Sequence, residues 1–416
     1  MTKTEAQPGA TARSGPGLSV IQQLRPTPRI FVLSGVMLLT AVNIAARETV
    51  RIDYATDSVG SEAGVGLVAA VWAIALAVVS PWGGRLADAR RAGNILTLTM
   101  MVAASSHLLT AWVLSQGTMP VPYLVVTTAV EGSNFGLLVP ALLKVQAAMV
   151  RPDARGAAEI LNILRLGIGG VIGALLGAAA SSPVVVNFIG GLVVTAVGAI
   201  IFVLVRPVVM PAQRAGLASW SEVRAQLRVV PWIRPTIVAD LVLTFVLPTQ
   251  LIALVVVDRG ADDVKTVALV SSLLGVLTGR LLLTGSGLRG DLRRRVLVPT
   301  IAFAALAGIG AVSLIDDWVL GHPPLLAILV FAASTAMTRA QGVPVALLQQ
   351  QLPDEVRGAV SGVMNAARYL LVAGAVAILA AVTVRFSAVQ SAALISILSV
   401  IGISFTRGFS GLRFRD

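Results

Sequence analysis

The octet Gly84-Arg85-Leu86-Ala87-Asp88-Ala89-Arg90-Arg91 stands between two long apolar stretches, and a worn copy, Gly287-Leu288-Arg289-Gly290-Asp291-Leu292-Arg293-Arg294, returns 203 residues later. The flanks of both copies stay apolar over the ~20 residues that a helix needs to cross a bilayer. Few folds are open to such a chain. In hydrocarbon every backbone N–H and C=O must be satisfied within the protein, which leaves helices or a closed barrel, and continuous runs of this length select helices. The expected fold class is an all-α membrane protein of two similar halves, each with a basic turn on the same side.

Composition agrees. The chain is 56% hydrophobic and 12% charged, with a mean hydropathy of +0.87, too apolar for a soluble surface. Its 32 Lys and Arg against 20 Asp and Glu leave a net charge of +12. In a soluble chain that excess would suggest nucleic acid. Here the arginines fall in short loops between apolar runs, so the lipid bilayer is the expected partner and nucleic acid is not. The absence of cysteine excludes disulfides and thiolate metal sites.

Twelve candidate spans lie near 30–52, 64–82, 95–115, 121–148, 157–181, 184–205, 235–257, 264–284, 296–315, 324–348, 359–383 and 387–405. They group into an N-terminal six-helix bundle at 30–205 and a C-terminal one at 235–405, joined by a cytoplasmic linker at 206–234. Residues 1–29 read as a disordered polar tail and 406–416 as a second tail. With the N-terminus inside, 22 of the 32 Lys and Arg fall in the tails and the even-to-odd loops, whereas the opposite loops are acidic. That asymmetry predicts a multi-pass protein of the cell membrane with both termini cytoplasmic.

The duplication extends beyond the octet. Asn162-Ile163-Leu164-Arg165 returns as Asn365-Ala366-Ala367-Arg368 at the same offset of 203, and Pro152-Asp153 returns as Pro353-Asp354 at 201. On these motifs the chain resembles the major facilitator superfamily, in particular its bacterial small-molecule efflux branch. The resemblance implies two six-helix bundles, alternating access to a site near the bilayer midplane, and a conformational latch in the basic loop. Carried onto this chain, the latch residues are Gly84, Asp88, Arg91 and, in the second half, Asp291. Asp88 can offer its carboxylate to a neighbouring helix N-terminus, where about half a positive charge resides. The alternative for the loop arginines is a purely topogenic role. Gly169 to Gly177 in the fifth span resembles the glycine-rich segment of exporters, with Ala174 where proline is expected; close helix packing explains these glycines equally well. In the fourth span the basic residue of many antiporters is replaced near Thr128.

Charges inside spans are costly and usually face a cavity or a partner. Glu131 and Arg165 lie at matched counts of residues into the fourth and fifth spans, so a Glu131–Arg165 pair with Asn162 nearby is the expected coupling and substrate centre. The alternative is a static pair that fixes helix register. Asp240 and Arg339 are further candidates in the second half, and Arg368, the repeat mate of Arg165, is a candidate for an anionic group. Arg47, Glu48 and Arg51 crowd the outer end of the first span as an outer gate or as an exposed snorkelling cluster, with Arg47 and Arg51 on one helix face. His107 is a weaker coupling candidate. No GxxxxGK[ST] run is present, so a Walker-type ATPase is excluded. With two histidines and no cysteine, no metal, cofactor or enzymatic nucleophile is expected. The functional expectation is proton-coupled efflux of small amphipathic molecules. The alternatives are transport of one specific metabolite, anionic or neutral, or a non-transporting lipid-handling or sensory role.

Overall fold

The computed structural model describes residues 20–59, 62–89, 92–151, 154–206, 208, 219–229, parts of 267–282 and 322–338, and 356–383. Among these every regular element is helical. In chain order they are α1 (Val20–Leu24), α2 (Pro28–Val59), α3 (Glu62–Ala89), α4 (Ala92–Ser115), α5 (Val121–Met149), α6 (Arg155–Ala178), α7 (Pro183–Val205) and α8 (Trp220–Val229). They continue with α9 (273–279), α10 (Pro323–Ala332) and α11 (Arg357–Thr383). Six of them, α2 to α7, are long and apolar enough to cross a membrane.

Local signals set their starts. Proline stands in the first turn of α2, α5 and α7, where the missing N–H has no helical partner to lose and φ is already fixed near the helical value. The helices run past the apolar windows that predict them, so α2 spans 32 residues and α5 spans 29. Order also begins earlier than composition suggests. Residues 1–29 read as a tail, yet α1 occupies Val20–Leu24, and Leu24 is fully buried against the bundle. One apolar side chain in a polar segment is enough to dock it on α6.

Two apolar clusters mark the two ends. At the basic-loop end, Leu24, Ile30, Leu33, Leu96, Val145 and Ile201 pack together. At the opposite end the cluster holds Val50, Tyr54, Val68, Met119 and Leu124. Large apolar side chains such as Val78, Leu98, Trp112, Val126 and Val203 stay exposed, as expected of positions that face lipid.

Glycine decides which helices approach closely. A Cβ on Gly169, Gly173 or Gly177 would strike Ala41, Val42 or Ala46 of α2. The glycine run of the fifth span therefore seats α6 on α2 through small residues. Likewise a Cβ on Gly132 would meet the carbonyl oxygen of Trp72, and this pins α5 to α3. The second half repeats this contact with the roles exchanged. Gly275 occupies the position of Trp72 and Thr335 that of Gly132, at the same 203-residue offset. A Cβ on Gly275 would meet the Phe331 carbonyl, while Thr335 Oγ1 donates to the Gly275 carbonyl at 3.0 Å.

Candidate coupling and substrate site

Arg47 leaves α2 toward the interior of the first bundle. Its Nη2 forms an ion pair with Glu131 of α5, Nε donates to Asn187 Oδ1 of α7 at 2.9 Å, and Nη2 reaches Thr110 Oγ1 of α4 at 3.4 Å. Arg51, one turn on, bonds Glu131 Oε2 through Nη1 at 3.1 Å and pairs with Glu48 through Nη2. Ser106 Oγ donates to Glu131 Oε1 at 2.9 Å. One carboxylate thus joins two guanidiniums and a hydroxyl from α2 and α4, and Arg47 extends the network to α7 through Asn187. His107 is buried beside this cluster, within electrostatic reach of Arg47, and its Nδ1 has no hydrogen-bond partner.

This arrangement corrects the expected Glu131–Arg165 pair. At a rise of 1.5 Å per residue Glu131 lies ~27 Å from the basic-loop end of α5, and Arg47 lies ~28 Å from that end along α2, whereas Arg165 lies only ~15 Å from it along α6. Counting equal numbers of residues from opposite ends matches depth only in helices of one length, and α5 is longer than α6. The outer cluster is also not the exposed one that snorkelling predicts: Arg47 is 5% exposed, although the Glu48 side chain remains 42% exposed. Arg47 and Arg51 do share one face. At the repeat offset their positions are held by Gln250 and Leu254, and that of Glu131 by Ser334, so the sequence does not repeat these charges in the second half.

A second polar group lies nearer the basic-loop end. Arg165 donates from Nη2 to Asn162 Oδ1, and Asn162 Nδ2 donates to Glu159 Oε2 at 3.3 Å. Glu159 is within electrostatic reach of both Arg165 and Arg368 of α11. Arg165 and Arg368, repeat mates, stand ~15 and ~17 Å along their helices. Glu159 also lines a small cavity with Gln146, Arg155 and Arg357.

The latch residues meet at the end of α3. Asp88 Oδ1 accepts from the Gly358 backbone N–H at 3.1 Å and Oδ2 from Ala359 at 2.8 Å. A carboxylate thereby caps the first turn of α11 and faces the positive end of its dipole. Lys144 Nζ of α5 completes the group at 2.7 Å from Oδ1. Gly84 has no room for a Cβ against the Gly358 carbonyl, and Gly362 none against Ser80. Farther along the same seam, the Trp72 ring meets Tyr369 edge-on at 5.4 Å. Arg85 stacks between Trp82 and the α8 residue Trp220, 5.1 and 4.8 Å from their ring centres, so the linker helix rests on the basic loop. Arg91, Asp240, Asp291 and Arg339 lie outside the described residues.

Sequence reasoning missed Lys144, Ser106, Thr110, Asn187 and Trp220. Lys144 had a usable signal, as one of only three lysines in the chain. The hydroxyls and the amide had none, because single polar residues are common in such helices.

A lipid-spanning helical bundle of two related halves, pinned together at one end and carrying ion pairs in its interior, is a membrane transporter rather than an enzyme. Residues 34–377 match the family model of the Major Facilitator Superfamily, and the chain belongs to that family. A search of curated protein sequences finds no match. Among solved structures, the human organic anion transporter MFSD10 (TETRAN) is similar at 15% identity and a TM-score of 0.72, over 92% of this chain and 100% of that one. A bacterial homologue of the iron transporter ferroportin, in its outward-facing state, is similar at 14% identity and 0.68, over 91% and 99%. The E. coli fucose:proton symporter FucP is similar at 13% identity and 0.66, over 95% and 100%. At these identities the shared property is the fold.

Proposed function

We propose that the protein is a proton-coupled secondary transporter that exports small amphipathic organic molecules from the cytoplasm, with Glu131 as the proton-carrying group. The observation that carries this reading is the pairing of Glu131 with Arg47 and Arg51 deep in the membrane-spanning bundle. A carboxylate in that setting keeps its charge only while its guanidinium partners stay in place. A rearrangement within the first bundle that draws α2 from α5 as the halves rock would leave Glu131 to take up a proton, and return of the arginines would expel it. Ser106 gives the protonated acid a partner. The basic residue that many antiporters carry near Thr128 is then unnecessary, because Arg47 and Arg51 supply the charge from α2. The latch between Asp88 and α11, on the side that loop charge assigns to the cytoplasm, belongs to the state closed on that side.

The deciding experiment is substrate flux in proteoliposomes under pH gradients of either sign. Glu131→Gln should lose accumulation against a gradient while retaining downhill exchange. Accumulation by that variant with unchanged pH dependence would make Glu131 structural.

A further inference from the structure

The Glu131 group contains a second carboxylate, Glu48, to which the transport reading gives no task. Arg51 divides its guanidinium between the two acids. Its Nη1 donates to Glu131 Oε2 of α5 at 3.1 Å, and its Nη2 pairs with Glu48, three residues earlier on the same helix α2. The acids differ in setting: the Glu48 side chain is 42% exposed, whereas that of Glu131 is 11% exposed. They also differ in what holds them to Arg51. Glycine contacts seat α2 on α6 and α5 on α3, while Arg47, Arg51 and Glu131 join α2 to α5 through the tips of side chains. Parting of α2 from α5 therefore breaks the bond from Arg51 to Glu131 and leaves the bond to Glu48, which moves with its helix. Arg47 is held otherwise: its further bonds run to the neutral Asn187 of α7 and Thr110 of α4.

We propose that Glu48 is a positioning residue of the coupling site: it competes with Glu131 for Arg51 and keeps that guanidinium compensated while α2 and α5 stand apart. A guanidinium drawn off its carboxylate inside a membrane-spanning bundle is costly to leave alone. With Glu48 beside it, Arg51 exchanges one carboxylate for fuller use of another, and the cost falls. An ion pair that stands partly in water is weak. Glu48 therefore compensates Arg51 without trapping it, and Glu131 wins the guanidinium back as the helices close. The exchange belongs to the first half alone, because the repeat positions of Glu48, Arg51 and Glu131 are Leu251, Leu254 and Ser334. The proposal rests on the transport reading and adds how one arginine leaves the proton-carrying group without losing its counter-charge.

The test uses purified full-length protein at mildly alkaline pH, so it does not depend on turnover. A double-mutant cycle of Arg51→Gln and Glu131→Gln, read by Tm, gives the coupling between the two residues, first with Glu48 in place and then in Glu48→Gln. Competition predicts that this coupling grows by roughly 2 °C or more once the Glu48 charge is gone. Glu48→Asp, which keeps the charge, should leave it close to the parent value. Spin labels on Asp57→Cys and Val121→Cys, exposed positions at the outer ends of α2 and α5 in a chain free of cysteine, report the parting of the helices. Glu48→Gln should lower the parted population by about threefold or more, and Glu48→Asp should restore it. In the Arg51→Gln background Glu48→Gln should be silent. An unchanged coupling in Glu48→Gln would overturn the competition, and so would a smaller one, which would make Glu48 a support that holds Arg51 on Glu131. A parted population unaltered by Glu48→Gln, or an equal effect of that change without Arg51, would overturn it as well. A single short distance in the parent protein at every pH, beside a coupling that grows as stated, would instead count against the transport reading and leave the competition for Arg51 standing.

Discussion

The carboxylate of Asp88 lies 2.8 Å from the backbone nitrogen of Ala359, a residue 271 positions later in the chain. The bond joins the end of α3 to the start of α11, and so joins one half of the transporter to the other. Because the partner is backbone N–H, the second half needs no particular side chain there; it needs a helix that begins at that point. Replacing Asp88 by Asn keeps the shape and removes the charge, with a loss of about 1.5–3 kcal/mol for hydrogen bonds to a charged group. That corresponds to roughly ten- to hundred-fold in the balance between latched and unlatched states. Asp88→Asn should express and fold normally, transport at least about tenfold more slowly, and label faster at a cysteine placed at Ser80. Unchanged labelling would show that the bond does not hold the seam.

Gly358 tests the same seam by sterics alone. A Cβ there would press on the Gly84 carbonyl and on Asp88 itself. Gly358→Ala should keep the α11 helix, since alanine is the better helix former by about 1 kcal/mol, yet should hold the basic-loop end open. Spin labels on the ends of α3 and α11 should report a longer and broader distance than in the parent protein. An unaltered distance distribution would mean that the two helices can slide to accept a methyl group.

Removing Arg47 leaves Glu131 short of its deepest partner and strips Asn187 of its donor. Breaking a buried pair from one side costs about 3–5 kcal/mol, so Arg47→Ala should lower Tm by roughly 10 °C. The double variant Arg47→Ala with Glu131→Gln should recover part of that loss, because no uncompensated charge remains. A double variant no more stable than Arg47→Ala would show that the pair is energetically idle.

The positive loops predict a topology that reporters can check. Fusions at Asn94 and Arg295 should fall on one side of the membrane, and a fusion at Asp317 on the other. Opposite answers from the first two would break the parallel relation of the halves.

The helices themselves were legible because hydrocarbon imposes one rule on every apolar run. The seam was legible because the resemblance assigns the aspartate of the basic octet to a neighbouring helix N-terminus, and Asp88, in the last turn of α3, caps one. What stayed hidden is the partner of Glu131. Residue counts give depth only once helix lengths are known, and α5 runs for 29 residues and α6 for 24. Lys144 stayed hidden for a related reason: a lone lysine inside a span declares a partner but not which one. The Arg85 stack needs Trp220, which opens an amphipathic stretch of the linker; that pattern announces a surface helix and not the place where it docks.

The exchanged glycines of the two halves bear on how this protein diverged. Gly132 makes room for the Trp72 carbonyl in one half, and Gly275 makes room for the Phe331 carbonyl in the other. A graft of α5 alone from one half onto the other would set two side chains, or two glycines, at the crossing and leave a collision or a void. Each pair of crossing helices is thus a unit of inheritance. Laboratory chimaeras of this transporter should move α3 with α5, and their counterparts in the second half, as matched couples.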